Sequence, residues 1–260
     1  MKKFFKYLFI GLGSIILLVI MGITFWWKTK SDEEKSRLMV ESHQYEKAIE
    51  YDQENSDAWM ERSVAFNKAG DFEKGFEYLN KAVELDPKLH LGYRGWIRLR
   101  KMRDYDKALQ DFNILDSLTP NFVDAPWGED IDFLRGECYF GKKEYQKAIE
   151  LFNRNIQNQK EDWVDIHSFV YLGLCEYELG NYEKAITEFQ RALKQTENVP
   201  ESYFGMARAY QKLGQIKKAK ENISKAENSM HYKRDDVYNE FLNEIYLSEI
   251  LEFKQKLNNK

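Results

Sequence analysis

The 260 residues include only two cysteines, four prolines and fourteen glycines. No Pro-rich, Ser/Gly-rich or single-sign block runs longer than a few residues. Flexible linkers and low-complexity tails are thereby excluded. Histidine is scarce too: His43, His90, His167 and His231 stand far apart, and none falls in a His-Glu-x-x-His pattern. There is no Cys-x-x-Cys pair, phosphate-cradling glycine loop, nucleophile elbow or kinase signature. The sequence therefore assigns no metal, no cofactor and no catalytic residue, and the chain reads as a non-enzyme. Asp162, Asp165 and His167 are the nearest approach to a polar cluster, but they sit where a helix begins and read as capping residues. Excess positive charge is also missing. The net charge is −4, or about −7 once Lys2, Lys3 and Lys6 are set aside, which argues against a nucleic-acid partner. Cys138 and Cys175 both lie ten residues before the small residue of a recurring phrase. Equivalent positions on stacked helix pairs are about 10 Å apart, beyond the ~7 Å that a disulfide spans. Two buried, unpaired thiols are expected.

What the chain does have begins at its amino terminus. Met1 to Lys6 is basic, and Tyr7 to Phe25 is a run of 19 residues without a charge. As a helix this run is about 28 Å long, close to the thickness of a bilayer core. Trp26, Trp27, Lys28 and Lys30 follow as an aromatic belt with a charged stop. No small-x-small cleavage site follows the apolar core, so an uncleaved single-span anchor over residues 1–30 is preferred to a cleaved signal peptide. Lysines and arginines are nearly balanced across the span. The short basic tail favours an amino terminus in the cytoplasm with the rest of the chain outside; the opposite orientation is the alternative.

Beyond the anchor one phrase recurs. It reads Gln44-Tyr45-Glu46-Lys47-Ala48, then Asp71-Phe72-Glu73-Lys74-Gly75, Asp104-Tyr105-Asp106-Lys107-Ala108 and Glu144-Tyr145-Gln146-Lys147-Ala148. Asn181-Tyr182-Glu183-Lys184-Ala185 and Gln215-Ile216-Lys217-Lys218-Ala219 complete it. From Gly75 onward the steps are 33, 40, 37 and 34 residues. A bulky residue three places before a small one, at this period, predicts an array of helix pairs in which each pair buries its apolar face on its neighbours.

The segment Tyr171 to Ala185, continued by Phe189 and Ala192, resembles the tetratricopeptide family. Further signposts are Trp59, Phe66, Gly70, Phe72, Ala82 and Pro87 in one unit and Tyr105, Ala108, Phe112 and Pro120 in the next. Gly136, Tyr139, Tyr145, Ala148 and Phe152 follow, then Tyr203, Tyr210, Gly214, Ala219 and Ala226. The resemblance implies an all-α, right-handed superhelical solenoid of helix-turn-helix repeats preceded by one transmembrane helix. A truncated repeat or cap is expected at 31–55. Five repeats are expected over 56–230, at about 56–88, 89–121, 129–161, 166–199 and 200–231, with a capping helix in 232–260. Extra residues within 121–130 and 158–166 read as surface loops. Asp235 to Leu257 reads as one long helix, apolar over a wider arc than a cap requires, which leaves room for self-association.

In the family, the first helix of each repeat lines a concave groove. Position by position this implies Met60, Val64 and Asn67, then Tyr93, Arg94, Ile97, Arg100 and Lys101. Phe133, Glu137 and Phe140 follow, then Val170, Leu174 and Tyr177, and finally Phe204, Arg208 and Gln211. Such a surface suits protein or peptide segments held by apolar anchors, with a basic patch near its amino-terminal end. Met60, Val64, Tyr93 and Ile97 stand where the family's carboxylate clamp needs polar groups, which argues against chaperone-tail binding. The expected function is a membrane-anchored scaffold of a bacterial inner membrane with the repeats in the periplasm. The alternative is a cytoplasm-facing regulator or secretion adaptor.

Overall fold

The computed structural model describes residues 2–234 and 241–259, and among these it is all-helical, with fourteen α-helices. Two compact units, 1–87 and 88–260, are described separately.

The first unit opens with α1 (Lys2–Thr29). Its segment Leu12–Thr29 has a mean hydropathy of 1.6 and no buried residue, so by length and composition it is long and apolar enough to cross a membrane. Two helix pairs follow, α2 (Asp32–Glu41) with α3 (Tyr45–Tyr51) and α4 (Ser56–Ala69) with α5 (Phe72–Leu85). Their boundaries follow from local chemistry. Ser31 and Glu34 form a reciprocal capping box at the start of α2. Asn55 caps α4 through the Ala58 amide, and Asp71 caps α5 through the Lys74 amide. The recurring phrase is thus the start of each second helix. The residue just before the phrase is always left-handed: His43, Gly70, Arg103, Lys143, Gly180 and Gly214 all have positive φ. Three of these six turns carry a side chain in a conformation that favours glycine.

Gly75 takes the place of alanine in the phrase for a steric reason. A β-carbon there would collide with the side chain of Asn67, which is buried on the facing helix α4. Gly75→Ala alone should therefore be destabilising, although alanine is the better helix former. In an Asn67→Ala background the same change should stabilise the first unit by about 1 kcal/mol. A double-mutant cycle by urea unfolding reads both signs, and equal effects in the two backgrounds would refute the clash.

The second unit begins with α6 (Pro87–Ile97), extended by a π-helical turn at Arg98–Met102, and α7 (Tyr105–Leu118). The pairs α8 (Ile131–Gly141) with α9 (Tyr145–Gln159) and α10 (His167–Glu178) with α11 (Tyr182–Gln195) follow. Then come α12 (Pro200–Lys212), α13 (Ile216–Asn228) and α14 (Leu247–Asn258). Each of three pairs closes on a glycine of its first helix. A β-carbon at Gly95, Gly136 or Gly173 would stand 2.7, 2.7 or 2.6 Å from the ring of Phe112, Phe152 or Phe189, inside van der Waals contact. Cys138 and Cys175 are free and buried in this core.

Two expectations need correction here. The helix expected from Asp235 to Leu257 starts only at Leu247. Asp235, Asp236 and Val237 lie outside the described residues, and residues 241–246 form no helix. Burial along this strap alternates: Phe241, Asn243 and Ile245 are buried, with Leu242 and Glu244 half-buried and Tyr246 exposed. Leu242 and Asn243 form a turn, so this is an irregular segment that sets alternate side chains against a surface. The inserted loop 121–130 is also more than a surface excursion. Trp127, with φ of 55°, turns its ring to within 5.4 Å of Tyr93 and 6.2 Å of Trp96, and Glu129 reaches Arg100.

Candidate functional site

The expected groove residues fall on the first helix of each pair, and none of them is freely exposed. In the first unit Met60 and Val64 are half-buried on α4, whereas Asn67 is buried against Gly75. In the second unit Tyr93 lies under Trp127, and Ile97 and Val170 are in the core. Lys101, Phe140, Leu174, Tyr177 and Gln211 are half-buried. Phe204 meets Phe253 of α14 edge to face at 5.8 Å. Arg208 lies 4.3 Å over the Tyr177 ring and pairs with Glu178.

The basic patch expected near Arg94 and Arg100 is neutralised within the unit. Arg94 and Arg98 both pair with the buried carboxylate of Asp111, at 2.8 and 2.5 Å. Arg100 is fully buried and pairs at 2.7 Å with both Glu129 and Glu137. Such burial is tolerable because the charges compensate each other in a medium that would punish either alone.

Arg100 and Glu137 form the floor of the site. The Tyr171 hydroxyl donates to Glu137 Oε1 at 2.5 Å. Burial pushes the Glu137 carboxyl up to about 7, with Arg100 offsetting only part of the shift. Burial, followed by the Glu137 charge, moves the Tyr171 hydroxyl well above its ordinary range. Phe133 and Phe140 lie edge-on to Tyr171, which stacks on Phe152 at 5.1 Å. These side chains come from α6, α8, α9 and α10, each held by its own helix-pair packing.

The strap lies on this floor. The Phe241 ring has the Arg100 guanidinium at 4.2 Å and that of Arg234 at 4.1 Å from its centre, and it stacks on His167. Arg103 donates to the Phe241 carbonyl at 3.4 Å, and the Leu242 amide donates to the Tyr171 oxygen. The Leu242 side chain packs against the cluster that contains Phe133, Val170 and Tyr171. Asn243 donates from Nδ2 to His167 Nδ1 at 2.8 Å. Arg234 pairs with Asp165, whose carboxylate also accepts from the His167 amide, although the N-cap of α10 is Ile166 and not Asp165. Ile245 joins Ile250, Leu257, Ala219 and Ile223 at the far end. Arg103, His167 and Tyr171 thus contact the strap, and none of them is among the positions that the family pattern transfers.

Desolvation lowers His167 to about 4, with Asp165 opposing the shift and Arg234 and Arg100 adding to it. A depressed folded-state pKa means that this contribution to stability is present above about 6.5 and lost as pH falls through 4. Acidification should therefore lower the protection factors of the amides at 241–246, taken against their intrinsic exchange rates at each pH, because imidazolium cannot accept from Asn243. His167→Gln should flatten that dependence; an unchanged pH profile would show that another group controls it.

Two stretches of the chain match known repeats: residues 42–90 match a profile described as "Tetratricopeptide repeat", and residues 173–214 one described as "TPR repeat". The fold is that of tetratricopeptide repeats. Among solved structures it is similar to PilW, described as a type IV pilus biogenesis factor, with a TM-score of 0.61 at 15% identity, covering 85% of this chain and 96% of that one. It is also similar to YrrB, described as a TPR protein with an unusual peptide-binding site, with a TM-score of 0.56 at 16% identity and coverage of 81% and 97%. Among curated relatives, the BBSome complex member BBS4 of Bos taurus is 25% identical over 188 residues, 70% of this chain and 34% of its own length. Tetratricopeptide repeat protein 16 of Homo sapiens is 25% identical over 169 residues, 61% of this chain and 19% of its own. The chain spans about a third or less of these relatives.

Proposed function

We propose that the chain is a non-catalytic scaffold, tethered to a membrane by α1, that holds peptide segments of other proteins on the first helices of its tetratricopeptide repeats. The observation that carries this reading is the strap. Residues 241–246 lie against Arg100 and the cluster that contains Phe133 and Val170, through a ring, an aliphatic side chain and an amide, with Arg103 donating to the Phe241 carbonyl and the Leu242 amide donating to Tyr171, which supports a peptide-holding surface there. Recognition that reads a main chain does not depend on that main chain belonging to the same molecule. The membrane part rests on the length and hydropathy of α1 and on the tryptophans and lysines that follow its apolar core.

The proposed compartment, with the repeats outside the cytoplasm of a bacterial cell, is supported by the short basic segment that precedes the apolar run. A phosphatase fused at Lys260 should be active and a fluorescent protein there dark; the opposite pattern would place the repeats inside. For binding, a photo-crosslinker at Leu174 in the full-length protein in native membranes should capture a discrete peptide segment, mapped by mass spectrometry. Crosslinks confined to the chain itself under all conditions would count against a scaffold role.

A further inference from the structure

Resting on that reading, we propose that the strap is a built-in occupant of the second unit's groove, and that the external ligand is a peptide with an aromatic–aliphatic–amide triplet, the chemistry of Phe241-Leu242-Asn243, which binds by displacing it. The strap's own seating defines the ligand. The site for the ring has two guanidinium faces and an imidazole, which favours an aromatic side chain over an aliphatic one of similar area. The second position enters the apolar cluster around Tyr171. The third needs a donor for His167 Nδ1, which an amide supplies and a carboxylate does not.

The strap is also an imperfect occupant. Arg100 Nε and Nη1 are buried and have no hydrogen-bond partner among the described residues, so the site keeps unmet donors directly under the ring. A buried donor without an acceptor is costly, and a ligand that offers one gains an advantage over the strap. Beside Phe241 and Leu242 a cavity of about 550 Å³ remains, walled by Phe140 and Tyr145 with Arg103 and Lys143 on its rim. A longer peptide has room there for one further side chain. The strap forms no helix, Glu244 pairs with Lys233, and its buried residues alternate with half-open ones. A segment held this way can leave without unfolding the helix pairs beneath it.

The test uses the full chain in detergent micelles and a fluorescent octapeptide with the sequence of residues 241–248. A strap that fills the groove more than nine-tenths of the time reduces apparent affinity by the unoccupied fraction. The double variant Phe241→Ala/Asn243→Ala should therefore bind the octapeptide about tenfold tighter than wild type, or more, while a scrambled peptide binds neither. Adding His167→Ala should abolish the gain. Because the double variant could lose its fold, the wild type supplies a second readout: excess octapeptide should accelerate amide exchange at 241–246 and leave α8 and α10 protected. Equal affinity for variant and wild type, or unchanged exchange, overturns the proposal. So does a dimer in light scattering that exchanges straps, which would make a second copy the occupant. If the octapeptide fails but the Leu174 crosslinker still captures another segment, the strap inference falls and the scaffold reading stands; if both fail, both fall.

Discussion

Replacing Arg100 by methionine should destabilise the second unit by about 3–5 kcal/mol at neutral pH, because it leaves Glu137 buried without its cation. The side chain has no exposed surface, and its two carboxylate partners sit at 2.7 Å. Glu129 is partly solvated and keeps the Trp96 indole as donor, so most of the loss should trace to Glu137. The effect should depend on pH in a defined direction. Glu137 already titrates near 7 in the folded protein, above its ordinary 4.5, so its protonated form is the one that folding favours. That contribution is fully present below about 4.5 and disappears as pH rises through 7. Without Arg100 the penalty should shrink at pH 5, where the carboxyl is neutral and still bonded to Tyr171, and grow at pH 8. Urea unfolding of wild type and variant at the two pH values measures it. A pH-independent loss would mean that packing of the arginine stem, rather than charge, dominates. Arg100→Met/Glu137→Met should recover much of the stability.

Phe189→Ala should cost a similar amount, about 3–5 kcal/mol, through the cavity that it opens. This ring is fully buried and fits between two glycines, Gly173 of α10 and Gly205 of α12, so one side chain sets the spacing within a repeat and between repeats. The opposite error should also be harmful. Gly173→Val puts two methyl groups where a single β-carbon already stands 2.6 Å from the ring, and overpacking of this kind costs about 1–3 kcal/mol. Combining the two changes should be less harmful than their sum, because the valine then fills part of the space that the phenylalanine leaves. Strict additivity in thermal unfolding would show that the glycines are not there for the ring.

The helix pairs were legible because their signals are local. Each phrase places a polar residue at the start of a second helix and a small one where that helix crosses its partner, and both requirements act within a few residues. The groove was legible only in outline. Tyr93 and Arg100 lie on the helices where the family pattern puts them, but their cover comes from Trp127, Glu129 and Phe241, which are 29 or more residues away. Neither residue's neighbours in sequence carry that information. The strap was misread for a related reason. An apolar stretch with residues on every side reads as a broad-faced helix, whereas Phe241, Asn243 and Ile245 bury with a period of two. Asn243 inside that stretch was the available signal, since an amide among apolar side chains needs a partner, and His167 is that partner. At Gly75 helix propensity alone favours alanine; only the contact with Asn67 shows why alanine does not fit.

That contact bears on how the array could be cut and recombined. In the second unit the glycine sits on the first helix and the bulky group on the second, as in Gly95 with Phe112, Gly136 with Phe152 and Gly173 with Phe189. Around Gly75 the order is inverted, with the bulk contributed by α4 and the gap by α5. The two contacts also lie at different levels of the pair, since Gly75 is the fifth residue of its phrase and each phenylalanine stands four residues after that position. A chimera that joins α4 to α7 would press Asn67 toward Ala108, where no gap receives it, and one that joins α6 to α5 would set Gly95 opposite Leu79 in place of a phenylalanine ring. Whole pairs are the transferable modules of this chain, and single helices are not.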